Sequence, residues 1–302
     1  MLADQTSRKD ANRTRAVVYD PGQEHAGEDM AELPTYEVYA IRYATRDGTR
    51  AEHFIGGDPH DAPMPMDYFI WVIVGAGRHY VVDLGYTAEM AAQRKRQFLR
   101  CPAESLGLLG LSAEATEDVI LTHLHYDHVG NAHKFPRARF HLQDREMQYA
   151  TGRHMRYPFF AGGFECEDVV GMVRLNFKGR VEFHDGEAEL APGISLHHMG
   201  GHTAGLQVVR VHTQRGWMVL ASDASHYYEH FQKNRVFTIA YRLDDMIQAY
   251  RKIERLAASL DHIIPGHDPL VMQLYPPPKP PHEGIIARLD VETRQGSIRS
   301  GT

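Results

Sequence analysis

Thr122-His123-Leu124-His125-Tyr126-Asp127-His128-Val129-Gly130 sets three imidazoles and one carboxylate within six residues, directly after the apolar run Val119-Ile120-Leu121. Imidazole nitrogen and carboxylate oxygen are the donors that zinc-like cations take. An apolar strand that runs into a tight turn can aim closely spaced side chains into one cleft at its end. The stretch therefore reads as a metal site built on a strand terminus.

Three further segments have the same character. Met199-Gly200-Gly201-His202-Thr203-Ala204-Gly205 is a glycine-rich turn after a strand and presents His202. Leu220-Ala221-Ser222-Asp223-Ala224 ends an apolar run with Asp223, and Ile263-Ile264-Pro265-Gly266-His267-Asp268 ends another with His267. A lone His or Asp after a strand is usually a turn residue; four instances in one chain point to a shared site. A catalytic zinc takes three protein ligands and keeps a position open. His123, His125 and His202 fill one such position, and Asp127, His128 and His267 fill a second. Asp223 is left to bridge. The set suits two divalent cations, expected as Zn2+, about 3.5–4 Å apart with a water or hydroxide between them.

Outside this set, Asp83 ends the strand Tyr80-Val81-Val82 and is expected to hydrogen-bond a ligand imidazole from behind. His197 and His198 alternate on a strand, so at most one faces the site. His133, His141, His154, His184, His212, His230 and His262 read as surface or satisfied core residues.

At 302 residues the chain can bury a sizeable core in one large or two small domains. With 43% hydrophobic and 24% charged residues it has the balance of an ordinary globular protein. A net charge of −6 argues against general affinity for nucleic acid or anionic membrane. Arg94-Lys95-Arg96, with apolar neighbours Met90, Phe98 and Leu99, reads as the wet face of a helix over 87–99 capped by Thr87. Cys101 and Cys166 make neither a metal pair nor a disulfide framework. The polar start lacks the apolar core of a signal peptide, and the longest apolar run, 68–76, is too short to span a bilayer. The expectation is a cytoplasmic protein without nucleic-acid or membrane partners.

Residues 1–34 form a polar arm, expected to be mobile or to clasp a second copy in a homodimer. Residues 35–302 are expected as a single domain. Strands are expected at 36–41, 68–74, 79–83, 119–122, 138–142, 194–198, 207–212, 217–221 and 262–264. The clearest helix runs over 244–260, with Asp244 as N-cap and Ile247, Tyr250, Ile253, Ala257 and Leu260 as one stripe. A helical insertion at about 144–178 carries Tyr149, Tyr157, Phe159, Phe160, Phe164 and Phe177. It either caps a pocket with aromatic surface or packs on the core. A proline run at 276–281 is a stiff spacer, after which Ile285, Ile286 and Leu289 pack back. Strands and helices in both halves, without regular alternation, favour an α+β fold of two sheets covered by helices.

The order His123-x-His125-x-Asp127-His128, Gly-His202, Asp223, Gly-His267 resembles the metallo-β-lactamase superfamily over residues 36–274. That resemblance implies an αβ/βα four-layer sandwich, with a metal site at one edge between two sheets and these seven residues as ligands. Asp223 in the bridging position argues against true β-lactamases, and His125, where diiron flavoproteins carry a glutamate, argues against electron transfer. The segment Thr122 to Asn131, the sequence Ser222-Asp223-Ala224-Ser225 and the step from Asp223 to His267 are most similar to the quorum-quenching N-acyl-homoserine lactonases. The resemblance implies a hydrolase that opens a small-molecule lactone or cyclic ester with a metal-bridging hydroxide. Asp127, whose outer oxygen can face the nucleophile, is the residue expected to move a proton to the leaving alkoxide.

One position departs from that group. The lactonases carry a tyrosine three residues after the bridging aspartate, where this chain has His226 followed by Tyr227 and Tyr228. Either His226 acts as the donor to the substrate carbonyl, or a shifted backbone brings in Tyr227, or the substrate differs. Rival readings on the same centre are a thioesterase of the glyoxalase II type and a phosphodiesterase. The short proline-led tail counts against the first, and the acidic charge balance against a nuclease. A non-hydrolytic redox member is the rival of a different class.

Overall fold

In strand β1 (Glu37–Arg46), Val38 and Ala40 point to one side and Tyr39, Ile41 and Tyr43 to the other, and all five are buried. A strand with two buried faces must lie inside a layered structure. The computed structural model describes residues 33–294, so the expected arm lies outside the described residues apart from Leu33 and Pro34.

Six more strands follow β1: β2 (Met66–Gly75), β3 (Arg78–Val82), β4 (Gln97–Phe98), β5 (Asp118–Ile120), β6 (Arg139–Gln143) and β7 (Val181–His184). Then come β8 (Glu187–Ala191), β9 (Ile194–His198), β10 (Gln207–Thr213), β11 (Gly216–Ser222) and β12 (Ile263–Pro265), and finally β13 (Ile286–Arg288). The first sheet has the order β13-β1-β2-β3-β5-β6-β7, with β4 added beside β1; the second has the order β12-β11-β10-β9-β8. In the first sheet β1, β2, β3 and β13 pair antiparallel, and β3, β5, β6 and β7 run parallel. In the second only β11 and β12 are parallel.

One core joins the sheets. Val38, Ala40, Phe69, Trp71, Ile73, Val82 and Ile120 of the first meet Leu196, Val208, Val211, Met218 and Leu220 of the second. On the far side of the first sheet, Ile41, Ile70, Val72, Val81, Val119 and Phe140 pack with Ala91, Ala103 and Met172 of three helices. The helix Leu243–Leu256 covers the second sheet through Met246, Ala249, Tyr250 and Ile253. The result is the expected four-layer α+β sandwich, a metallo-β-lactamase-like αβ/βα arrangement. No helix among the described residues is long and apolar enough to cross a membrane.

Four departures from expectation have local causes. Asp244 is not the N-cap of its helix: Arg242 holds that place, and Asp244 sits in the first turn, paired with Arg242. The helix ends at Leu256 because the chain turns extended at Ala257, whose neighbour Ala258 donates to Trp217 O. Strands β7 and β8 went unread because they are short, half-exposed and interrupted by Glu182, Glu187 and Glu189. Finally, the helix after Thr87 stops at Gln93.

That last stop has a recognisable geometry. Lys95 takes the left-handed conformation at φ 55°, Lys95 N donates to Ala92 O, and Arg96 N donates to Ala91 O. This pair of bonds is the Schellman motif, with lysine where glycine is usual. Arg94-Lys95-Arg96 is therefore not the wet face of a longer helix. It is a corner: Lys95 faces water, while Arg94 and Arg96 turn inward. Replacing Lys95 by glycine relieves the left-handed strain and should stabilise the fold by about 0.5–1 kcal/mol, read as a raised thermal midpoint.

Candidate metal centre

Each ligand-type side chain stands where a buried strand has just ended. His123, His125, Asp127 and His128 follow β5, His202 lies between β9 and β10, Asp223 follows β11 and His267 follows β12. The parallel pairing of β11 and β12 sends Asp223 and His267 to the same edge. Their approach requires Gly266, since a Cβ there would lie 2.7 Å from the Ser222 carbonyl and 2.9 Å from Asp223 Oδ1.

The seven expected residues come together. His123, His125 and His202 form one group whose ligand atoms lie within 4.8 Å of one another, and Asp127, His128 and His267 form another. Asp223 faces both. Its Oδ2 is 3.2 Å from His202 Nε2 and 3.9 Å from His123 Nε2; its Oδ1 is 3.1 Å from His267 Nε2 and 3.5 Å from His128 Nε2. One carboxylate oxygen per group is the geometry of a bridging ligand. Asp127 Oδ2 lies 3.5 Å from His128 Nε2 and 3.7 Å from His267 Nε2.

The far nitrogens decide what the near ones offer. His202 Nδ1 lies 2.8 Å from Ile239 O and His267 Nδ1 lies 2.9 Å from Asp67 O. A carbonyl only accepts, so each Nδ1 carries a proton and each Nε2 is the nitrogen turned to the site. His128 Nδ1 likewise donates to Asp83 Oδ2 at 2.8 Å, as the sequence suggested for Asp83. The Thr122 hydroxyl gives its one proton to the same oxygen at 2.8 Å, and so accepts from His123 Nδ1 at 3.1 Å. Thr122 N donates to Asp83 Oδ1. His123 Nε2 and His128 Nε2 are buried with no hydrogen-bond partner. His125 differs: its Nδ1 faces His202 Nε2 at 2.9 Å, and Gly163 lies so close over its ring that a Cβ would sit 2.6 Å from it.

Burial holds His123, His125 and His202 below the ordinary imidazole value, hence neutral. Burial acts the same way on His128 and His267, but Asp127 and Asp223 reverse it, with Asp83 adding at His128, and lift both above the ordinary value. Burial would raise Asp223, yet His267, His226, His128 and His202 hold it well below the usual carboxylate range. The carboxylate-rich half thus calls for positive charge, and the other half offers neutral lone pairs. This donor set fits two divalent cations.

Two supports were invisible in the sequence. Glu146, fully buried, accepts from Leu124 N at 2.9 Å, Thr203 Oγ1 at 2.7 Å and Gly205 N at 2.9 Å, tying the loop of His123 and His125 to the loop of His202. The backbone carbonyls of Ile239 and Asp67 carry no side-chain signature at all. Neither His197 nor His198 lines the site: His197 bonds Ser195 and His198 bonds Ala204 O.

His226 and Tyr227 part company. His226 lines the cavity, stacks on Phe237 with ring centres 3.8 Å apart, and places Nε2 2.9 Å from Asp223 Oδ2. Burial pushes its imidazole down to about 3, so the neutral ring donates that bond to the anionic Asp223. Tyr227 turns away from the cavity, its hydroxyl held by His53 Nε2 at 3.0 Å and Pro65 O at 3.2 Å. The cavity over the centre has a volume of about 350 Å3. Its walls include Phe159, Gly162 and Gly163 from the aromatic segment, and Phe164 stands edge-on to His125 with centres 4.5 Å apart. Part of that segment caps the site; Phe177, 89% exposed, does not.

The chain belongs to the metallo-beta-lactamase superfamily, whose family model matches residues 65–267. It is similar to the N-acyl homoserine lactonase AttM of Azorhizobium caulinodans, at 26% identity over 234 residues, 70% of this chain and 85% of that protein. N-acyl homoserine lactonase AiiB of Agrobacterium fabrum is 34% identical over 131 residues, 41% of this chain and 45% of its own. Among solved structures, a quorum-quenching N-acyl homoserine lactone lactonase superposes with a TM-score of 0.65 at 18% identity, over 79% of this chain and 94% of its own. A probable metal-dependent hydrolase from Staphylococcus aureus superposes with a TM-score of 0.64 at 13% identity, over 90% and 99%.

If Asp83 fixes the tautomer of His128, Asp83→Ala should weaken zinc binding about 10–100-fold, measured by competition with a chromophoric chelator. An unchanged affinity would remove Asp83 from this role. Saturating zinc should also raise the thermal midpoint of the metal-free chain, because it binds the folded site and relieves two unpartnered nitrogens.

Proposed function

We propose that this protein is a dinuclear metal hydrolase that opens a lactone or other cyclic ester. The observation that carries the reading is Asp223, which offers one carboxylate oxygen to each of two ligand groups. The metallo-beta-lactamase superfamily match and the lactonase relatives support the substrate class, N-acyl homoserine lactone being the one their names give.

His123, His125 and His202 would hold one cation, Asp127, His128 and His267 the other, and Asp223 both. The two cations, with Zn2+ as the expected metal, would supply an activated water and an electrophile for the ester carbonyl. The remaining chemistry belongs to the chain. Asp127, the most exposed of the seven at 8%, borders the cavity and is placed to carry a proton to the departing alkoxide. His226 holds the bridging carboxylate in line through its Nε2 and forms cavity wall where the lactonases have tyrosine. Phe237 fixes the plane of that ring. Phe159 and Gly163 wall one side of the cavity, and Phe164 backs the ring of His125. Tyr227, committed to His53 and Pro65, supports the wall from outside.

Asp223→Ala should bind less than two zinc per chain and lose at least a hundredfold in lactone kcat/KM, by metal analysis and a pH-based hydrolysis assay. Full turnover with two zinc retained would overturn the dinuclear reading. The zinc-loaded protein should also cleave lactones faster than thioesters, β-lactams or phosphodiesters. Faster cleavage of a phosphodiester than of any lactone would replace the substrate class.

A further inference from the structure

Three arginines line the cavity over the candidate centre: Arg46, Arg94 and Arg96. Two are matched by carboxylates. Arg46 Nη1 lies 3.2 Å from Glu52 Oε2. Arg94 pairs with Glu165 and donates to Gly162 O at 2.7 Å, while its guanidinium lies 4.1 Å from the centre of the Tyr126 ring. Arg96 stands apart. Among the described residues its only side-chain bond runs from Nε to the Tyr126 hydroxyl at 3.3 Å, and none of their carboxylates pairs with it. The guanidinium is half-buried. A cation withdrawn from water without a counter-charge is costly unless something anionic arrives.

Two phenol groups stand near Arg96. Tyr126 is the residue before Asp127, and its ring stacks on Tyr86 with centres 5.5 Å apart. Tyr68, on the same wall, lies edge-on to His267 with centres 5.1 Å apart. Both tyrosines border the cavity, so Arg96 and two phenol groups share one wall, on the side of Asp127 and His267. The acids in the cavity walls are Glu52, Asp127 and Asp223. The first is taken by Arg46, and the other two face the histidines. The corner at Lys95 is what brings Arg96 here: the chain reverses through a left-handed residue and points Arg96 into the cavity.

We propose that Arg96 seats an anionic substituent of the substrate, a carboxylate or a phosphate, so that the preferred ester or lactone carries a negative charge away from its reacting carbonyl. The inference rests on the lactone-hydrolase reading above. Arg96 Nε stays with Tyr126, and the two terminal nitrogens are free to grip two oxygens of one group in the paired manner that suits both anions. A neutral acyl chain gains nothing from this wall. A merely structural Arg96, present to hold Tyr126, would affect charged and neutral substrates alike.

The test uses the full-length zinc-loaded protein and three homoserine lactones of matched length: the neutral N-hexanoyl amide, the N-adipoyl amide ending in a carboxylate, and an amide ending in a phosphate monoester. Wild type should favour at least one charged lactone over the neutral one by about tenfold or more in kcat/KM, and the better of the two names the oxyanion. In Arg96→Met that ratio should fall at least tenfold, and in Arg96→Lys it should lie between. A ratio unchanged in Arg96→Met, or no preference in wild type, overturns the proposal. If wild type cleaves none of the lactones, the lactonase reading fails on its own. Calorimetric binding of the corresponding stable lactams then decides: loss of charged-lactam preference in Arg96→Met upholds the seat, and equal affinities in both proteins overturn it.

Discussion

The centre depends on where the far nitrogen of each imidazole sends its proton. Ile239 O, Asp67 O, Asp83 and the Thr122 hydroxyl each accept one such N–H, so four Nε2 atoms face inward, and at His128 and His267 the nearby carboxylates favour a second proton there that a cation would displace. A ring free to flip or change tautomer would present a proton half the time and could not serve as a dependable ligand. Three of the four acceptors can only accept, and the fourth has its own proton committed to Asp83. The tautomers are therefore set by geometry before any cation arrives. His123 Nε2 and His128 Nε2 are buried without a hydrogen-bond partner, and a buried polar atom left so costs about 1–3 kcal/mol.

Asp83 shows how much one residue can settle. It leaves β3 in a left-handed conformation at φ 60°, which aspartate tolerates better than most side chains. From there one oxygen receives Thr122 N and the other receives both the Thr122 hydroxyl and His128. The carboxylate thus fixes the start of the ligand loop and the orientation of its last histidine together. On the opposite sheet, the pairing of β11 with β12 brings Asp223 and His267 alongside each other. The two halves of the sandwich each contribute to both groups of ligand-type residues, so neither sheet alone holds either group complete.

That seven ligand-type side chains gather at one edge was legible in the sequence, because the chemistry of a metal site restricts residue types and strand ends announce themselves by apolar runs. His123, His125, Asp127, His128, His202, Asp223 and His267 all fall where that reasoning put them. The two-sheet fold was legible for a related reason: Tyr68 to Val74 of β2 and Tyr80-Val81-Val82 of β3 are continuous runs of buried or nearly buried apolar and aromatic residues, as strands covered on both faces must be. What escaped was whatever depends on backbone or on long-range contact. Glu146 reads as an ordinary acidic residue in a first helical turn, and nothing local distinguishes it from a solvated one. The corner at Lys95 was misread because lysine rarely takes a left-handed conformation, so the continuing apolar pattern at Phe98 and Leu99 suggested an unbroken helix. Those residues are apolar because β4 carries Phe98 onto the edge of the first sheet. The separation of His226 from Tyr227 was left open by the sequence, since adjacent residues after a strand can present either side chain to a cleft.

Glu146 belongs to the first helical turn of the segment whose later residues wall the cavity, so one continuous stretch both braces the ligand loops and shapes access to them. Up to Ala150 it is under the same geometric constraint as the histidines: a shift there would move Leu124, Thr203 and Gly205 together. Beyond Thr151 that constraint ends, and contact with the centre resumes only where Gly163 and Phe164 meet His125. The intervening stretch is therefore a part of the described chain in which exposed side chains such as Tyr157 and Phe159 can change without touching the ligand-type residues. In a fold that keeps its centre and changes its substrates, this is where new specificity can accumulate at the least structural cost.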